Sequence, residues 1–283
     1  MSSDITLSSG ISQNLYSLQS TQKLMEQTEY RLATGKKINS ALDDPINFFA
    51  AQDHTQQASD LQVRKDSMGE AIQTIEAADN AIEAISDLIA SAKSLAQSAL
   101  SGETEEEVSE YIAQFNELLT QIDNLAGDAT YAGVNLLGGA TESLEVFFDE
   151  EGDSSISITG FDASSTGLGL TAVAAAGDAA SWWDDTGALN KTNINTSLDE
   201  LEAATSTLRT ESKTLSNQLS IITAREDFTA KMINTLEEGA ANLVNADTNE
   251  ESANLLTLQT QQELAINSLS IASSAQQAVL NLF

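Results

Sequence analysis

The chain has no cysteine, which removes disulfides, thiolate metal sites and cysteine nucleophiles from consideration. It has one proline and only 5% aromatic residues, so little interrupts a long helix and little could fill a thick globular core. No uninterrupted apolar run approaches the length of a membrane-crossing helix, so membrane insertion is not expected. The start, Met1-Ser2-Ser3-Asp4, has no basic region, and the apolar residues after it are periodic rather than contiguous, unlike a cleavable secretory leader. Basic residues are also scarce. Twelve Lys and Arg stand against 43 Asp and Glu, a formal net charge of −31 at pH 7. Such a balance disfavours nucleic acid and anionic membrane surfaces, whose phosphates must be met by cations. Between Lys93 and Lys191 there is no basic residue, and none follows Lys231. The acidic runs Glu105-Glu106-Glu107 and Asp149-Glu150-Glu151 read as solvated surface; the spacing of a calcium loop is missing.

What is present is heptad periodicity. Ile11, Leu18, Met25 and Leu32 recur every seven residues at the N-terminal end, with Leu15 between them, and Leu258, Ala265, Ala272 and Val279 do so at the other end, where Leu269 is a further apolar position. Apolar stripes of this kind need a partner: each other, or other copies of the chain. Asp44-Pro45 reads as an N-cap followed by proline in the first helical position. From there Met68, Ile75, Ile82, Ile89 and Ala96 form one row, and Ala71, Ala78, Ile85, Ala92 and Ala99 a companion row of mostly small residues. Thr104 to Glu107 is a capping box before a helix with Val108, Phe115 and Ile122 in one row and Tyr111, Leu118 and Leu125 in another. Ser197 to Glu200 and Thr248 to Glu251 read as further capping boxes, the former opening a helix with Leu201, Leu208, Leu215, Ile222 and Leu236 in register.

Helical periodicity stops in residues 131–195. Leu144, Val146 and Phe148 alternate with polar residues, as do Ile156 and Ile158, and Asp149 to Asp153 is a plausible turn between them, which predicts a β-hairpin. Trp182-Trp183 reads as an aromatic plug beneath a small cap. The predicted fold class is mainly α, an elongated rod of paired long helices with a small central hairpin region. Its parts are an N-terminal helix and turn (1–44), N-terminal rod helices (45–140), a central β-rich outer region (141–195), a C-terminal rod helix (196–246) and a C-terminal helix (247–283).

No motif supports catalysis. The sole histidine, His54, has no second His or Cys with which to hold a metal and reads as an exposed helix residue. There is no Gly-x-Ser-x-Gly elbow and no phosphate-binding Gly-rich loop. No cofactor is expected. Asn190-Lys191-Thr192 and Asn195-Thr196-Ser197 fit a glycosylation pattern that also arises by chance.

The run Arg31-Leu32-Ala33-Thr34-Gly35-Lys36-Lys37-Ile38-Asn39-Ser40-Ala41-Leu42-Asp43-Asp44 closely resembles the N-terminal signature of bacterial flagellins, Arg31, Gly35, Ile38, Asn39, Asp43 and Asp44 being its marked positions. Asn245 through Phe283, with Gln259, Gln261 and Gln262, resembles the flagellin C-terminal helix, and Tyr131 to Leu137 resembles the family's turn after the second rod helix. The resemblance implies a non-enzymatic subunit, here a short form with a reduced outer region, that assembles head to tail into the flagellar filament. Its ends would pair as coaxial helices in the inner tube. It further implies export, unfolded, through the flagellar secretion channel to an extracellular filament. The implied partners are other copies, other flagellins, hook-associated junction and cap proteins, the export apparatus and a chaperone. On this reading Ile11, Leu15, Leu18, Met25, Leu32, Leu258, Leu269 and Val279 contribute most to packing between subunits. Two features depart from the family. The stretch Ala90 to Gln97 carries only Lys93 where many members carry the basic cluster read by an innate immune receptor, and the chain ends in Phe283 rather than a basic residue. The competing readings are a hook–filament junction protein, which shares the paired-helix plan but does not propagate, and a secreted coiled-coil adhesin.

Overall fold

The structure is a computed structural model that describes residues 9–280. In chain order it contains α1 (Ser9–Thr34), α2 (Pro45–Ala99), α3 (Glu105–Asp128), β1 (Ser143–Phe147), β2 (Ser155–Thr159), α4 (Lys191–Val244) and α5 (Thr248–Leu280). The chain divides into two compact units, one of Met1–Ala58 with Asn234–Phe283 and one of Ser59–Ile233. The dividing points fall within α2 and α4.

The Ser59–Ile233 unit has a continuous apolar core. Both heptad rows of α2 are buried along their whole length, from Met68 to Ala96 and from Ala71 to Ala99. The small residues of the second row allow close helix approach, as the pattern predicts. Val108, Phe115 and Ile122 of α3 and Leu201, Leu208, Leu215 and Ile222 of α4 complete the seam. The companion row of α3 is shifted by one residue from the expectation: Ile112, Leu119 and Ala126 are buried, while Tyr111, Leu118 and Leu125 are half-buried at the flank.

Two of the three expected capping boxes fall elsewhere. The Thr104 cap forms with its return bond displaced by one residue: the Glu107 N–H donates to the Thr104 hydroxyl (3.4 Å), and the Glu107 carboxylate accepts from the Glu103 N–H (3.2 Å). Helix α4, however, starts at Lys191, where the Asn190 side chain accepts from the Asn193 N–H (3.2 Å). Ser197 is therefore interior to the helix, and its hydroxyl is used by Trp182 instead. For α5 the cap is Asp247, whose carboxylate accepts from the Asn249 N–H (2.9 Å). Residue type alone could not choose between neighbouring oxygen-bearing side chains; tertiary contacts at Ser197 and Glu251 decided the outcome.

The hairpin forms in the expected place. β1 and β2 are antiparallel, with Leu144 opposite Ile158 and Val146 opposite Ile156. The Asp149 carboxylate closes the turn by accepting from the N–H groups of Gly152 (2.9 Å) and Ser154 (3.1 Å). Val146 and Ile158 point into the core, and so do Leu168, Leu170 and Val173 of the irregular stretch that follows. Side chains on the helices fasten this stretch from beneath. Asn116 exchanges two hydrogen bonds with the Val173 backbone (2.8 and 2.9 Å), and the Glu200 carboxylate accepts from the Thr171 N–H (3.1 Å). Trp182 is the plug: wholly buried, edge-on to Phe115 with centroids 4.9 Å apart, its indole N–H donating to the Ser197 hydroxyl at 3.1 Å. Gly167 must be glycine for packing reasons, since a Cβ there would lie 2.3 Å from the Asp162 Cγ.

Candidate self-assembly site

In the other unit, α1 and α5 pair along a single seam. On α1, Ile11, Thr21 and Thr28 are buried and Leu18, Met25 and Leu32 half-buried, a spacing of three and four. On α5, Leu255, Leu258, Gln262, Ala265, Leu269, Ala272 and Gln276 are half-buried with the same spacing. The seam thus includes the polar residues Thr21, Thr28, Gln262 and Gln276 among its apolar ones. Gln262 Nε2 donates to Gln22 Oε1 at 3.1 Å, and the Thr21 hydroxyl donates to its own helix at the Ser17 carbonyl (3.0 Å). At the mouth of the pair Arg31 and Glu251 form an ion pair at 3.1 Å, with side-chain exposures of 31% and 11%. Glu251 is nearly enclosed, and Arg31 meets its charge where α5 begins along α1.

The marked residues of the Arg31–Asp44 signature have local roles. Gly35 has φ +69°, a left-handed conformation that ends α1 and that glycine adopts without strain. Its carbonyl accepts from the Ala246 N–H (2.9 Å), while the Lys37 N–H donates to the Val244 carbonyl (2.8 Å), so the two turns are laced together. Ile38 is buried beneath this lacing. Asp43 Oδ2 accepts from the N–H groups of Asn39 (3.1 Å) and Ser40 (3.0 Å) and from the Ser40 hydroxyl (3.1 Å). Asp44 caps α2 by accepting from the N–H groups of Ile46 (3.1 Å) and Asn47 (3.2 Å). The backbone hydrogen bonds from Asn39 and Ser40 hold the Asp43 carboxyl below its ordinary value, and that from Asn47 does the same for Asp44.

Of the residues expected to pack between subunits, Ile11, Leu18, Met25, Leu32, Leu258 and Leu269 lie in this intrachain seam, and Leu15 is 38% exposed beside it. The Val279 side chain lies outside the described residues. Heptad reasoning passed over a second apolar set on the same two helices. Tyr16, Leu24 and Tyr30 on α1 and Leu256, Leu264, Ile266 and Ile271 on α5 are each at least half exposed, as are Leu42, Ile46 and Phe49 in and after the signature turn. The signal was available as large apolar residues lying off the seven-residue rows. His54, expected to be exposed, is half-buried beside Gly239. Among the described residues no group of three or more His, Cys, Asp or Glu could hold a metal ion, and no helix is long and apolar enough to cross a membrane.

Two helical ends that bury one face against each other and keep other apolar faces open define a self-associating structural protein. Comparison with known proteins gives that class its family. The model of the bacterial flagellin N-terminal helical region matches residues 8–142, and that of the bacterial flagellin C-terminal helical region matches residues 191–283. Flagellin FljM of Caulobacter vibrioides is 33% identical over 285 residues, covering 99% of this chain and 98% of that protein. A flagellin of Brucella melitensis is 31% identical over 289 residues, covering 100% and 99%. The crystal structure of Bacillus cereus flagellin aligns with 58% of this chain and 88% of its own at 20% identity and a TM-score of 0.47, too loose a likeness to argue from. The chain belongs to the bacterial flagellin family. It is a structural subunit of the flagellar filament, of the short form without a large outer domain.

Proposed function

We propose that copies of this chain polymerise head to tail through their paired ends, and that the ends complete their burial only in the polymer. The carrying observation is the pair of terminal helices that still expose Leu24, Leu256, Leu264 and Ile271 after zipping together. Large apolar side chains exposed on both helices of a pair are the surface that neighbouring copies would cover. On this reading Ile11, Leu18, Met25, Leu32, Leu258 and Leu269 set the shape of each pair and, with Leu15 and Val279, contribute to packing between subunits. Export of the unfolded chain through the flagellar secretion channel, with a chaperone, would precede assembly. Junction and cap proteins would bound the filament, which would stand outside the cell. Lys93 is already tied to Glu202 at 2.7 Å, which supports weak recognition by the innate immune receptor that reads basic residues there; a full response in a reporter assay would refute that.

The decisive experiment is to seed purified monomer with filament fragments and follow elongation by electron microscopy. Elongation of the wild type, and its loss on deleting residues 1–30 or 255–283, is expected. A wild type that binds fragment ends as a single layer without elongating would favour the junction-protein reading.

A further inference from the structure

A small cavity of about 170 Å³ lies under the tip of the hairpin, within the Ser59–Ile233 unit. One wall is α4, where Arg225, Phe228, Thr229 and Met232 stand at i, i+3, i+4 and i+7 and so share one helix face. Leu61 of α2 forms another wall, and the hairpin closes the rest with Phe148, Asp149 and Ser154. Packed interiors leave few voids of this size. The walls are mostly hydrocarbon, aromatic ring and thioether, and a cavity of about 150 Å³ with such a lining stays dry and takes up benzene. The space is that of one aromatic ring. Phe228 (55% exposed) and Met232 (36%) both line the cavity and face solvent, so it opens beside them.

Two polar groups of the lining lack partners. Thr229 is 4% exposed, and its hydroxyl makes no hydrogen bond among the described residues. Thr223, farther back on the same helix, instead returns its hydroxyl to the Leu219 carbonyl at 2.9 Å. The Arg225 guanidinium lies 5.1 Å from the centroid of the Phe148 ring and makes no ion pair among the described residues. Glu226 and Asp227 follow Arg225 directly and therefore face elsewhere on the helix. The Asp149 carboxylate is already taken up by the Gly152 and Ser154 N–H groups (2.9 and 3.1 Å). Apolar walls with a cation and an unused hydroxyl at one edge are complementary to a ring that carries an anion.

We infer that this cavity is a binding site for a small aromatic carboxylate of the benzoate class. The ring sits among Leu61, Phe148 and Phe228, and the carboxylate accepts from the Arg225 guanidinium and the Thr229 hydroxyl. Those two residues are four apart on α4, so their side chains can meet one ligand group. The site is separate from the terminal helices and does not rest on the self-assembly reading. A ring seated there touches the hairpin turn and both helices at once, so occupancy clamps the hairpin tip onto the body of the unit.

The test uses the full chain as monomer, with benzoate as the probe and benzyl alcohol as its uncharged counterpart. Ligand-observed NMR should show saturable benzoate binding with a dissociation constant on the order of 1 mM, modest because the ligand is small. Arg225 is exposed, so Arg225→Gln keeps the fold; it should weaken benzoate about fivefold or more and leave benzyl alcohol within about twofold. Leu61→Phe fills the space and should abolish binding of both, with helix content unchanged by circular dichroism. At roughly ten times its dissociation constant, benzoate should slow exchange of the Gly152 and Ser154 amides about tenfold, because opening of the turn then requires release of the ligand. A wild-type chain that binds no benzoate overturns the site. So does binding that survives Leu61→Phe unchanged, since the ligand then lies elsewhere. An Arg225→Gln chain that loses both probes equally, or neither, overturns the assignment to carboxylates.

Discussion

The two units use the same heptad grammar to opposite ends. In the Ser59–Ile233 unit three helices and a cover enclose the rows, and residues such as Ile85, Phe115, Ile122 and Leu208 are at most 1% exposed. In the terminal unit α1 and α5 can offer each other only one face. Their seam includes Thr21, Thr28, Gln262 and Gln276, and apolar residues such as Leu264 (61% exposed) and Ile271 (71%) remain outside. A two-helix pair has too little interior to stabilise itself strongly, so its burial must come from elsewhere. One unit closes its own core; on the proposed reading the other is finished by its neighbours.

The largest test of that contrast replaces Leu256, Leu264 and Ile271 with Asn. Seeded elongation should be abolished, while monomer unfolding in urea stays within about 1.5 kcal/mol of wild type, because each exposed residue away from a core rarely costs more than about 0.5 kcal/mol. A monomer strongly destabilised by these changes would mean the terminal helices close their own core after all. Trp182→Ala is the mirror experiment. Losing a wholly buried indole, its edge contact with Phe115 and its bond to Ser197 should cost about 4 kcal/mol in the urea transition. Filaments should still form at temperatures where this unit stays folded.

The same contrast decides how much was legible in the sequence. Rows such as Met68 to Ala96 could be read because a closed core demands an apolar residue at every seventh place, and the hairpin could be read because Asp149 to Asp153 separates two alternating runs. Three things could not be read. The start of α4 lies six residues before Ser197, at the Asn190 cap, and the Ser197 hydroxyl serves Trp182, 15 residues away in sequence. The α3 companion row moved by one residue because Ile112 and Leu119 face a core that Tyr111 and Leu118 only flank. At the ends, the heptads marked the seam that holds one chain together, while the open apolar residues lie off those rows.

A smaller effect is expected where the ends are pinned. Arg31→Met leaves the Glu251 carboxylate, 11% exposed, without its partner, and should loosen the α1–α5 pair by about 1–2 kcal/mol, a value reduced from a fully buried pair by the 31% exposure of Arg31. Hydrogen exchange should quicken along α5 and stay unchanged in α2 between Met68 and Ala99. Glu251→Gln should do less harm, since an amide can be buried at lower cost than an unpaired charge.

The smallest effect concerns acid. Asp43 and Asp44 both titrate below the ordinary aspartate value of 3.8 because backbone N–H groups hold their charged forms. A folded-state value below the unfolded one means the signature turn gains stability above the unfolded value and loses it as pH falls through the folded one. Below about pH 3.8, exchange of the Asn39, Ser40, Ile46 and Asn47 amides should therefore accelerate with falling pH beyond the intrinsic chemical trend. Asp43→Asn with Asp44→Asn should remove that acid-dependent step, because an amide has no proton to gain. Asp43 is exposed and Asp44 only half-buried, so the change should stay local to the turn and to the first turn of α2. Acid-accelerated exchange spreading through the whole α1–α5 pair would show instead that the turn governs the stability of the ends, and the division between a self-sufficient unit and a dependent one would then begin at Asp43.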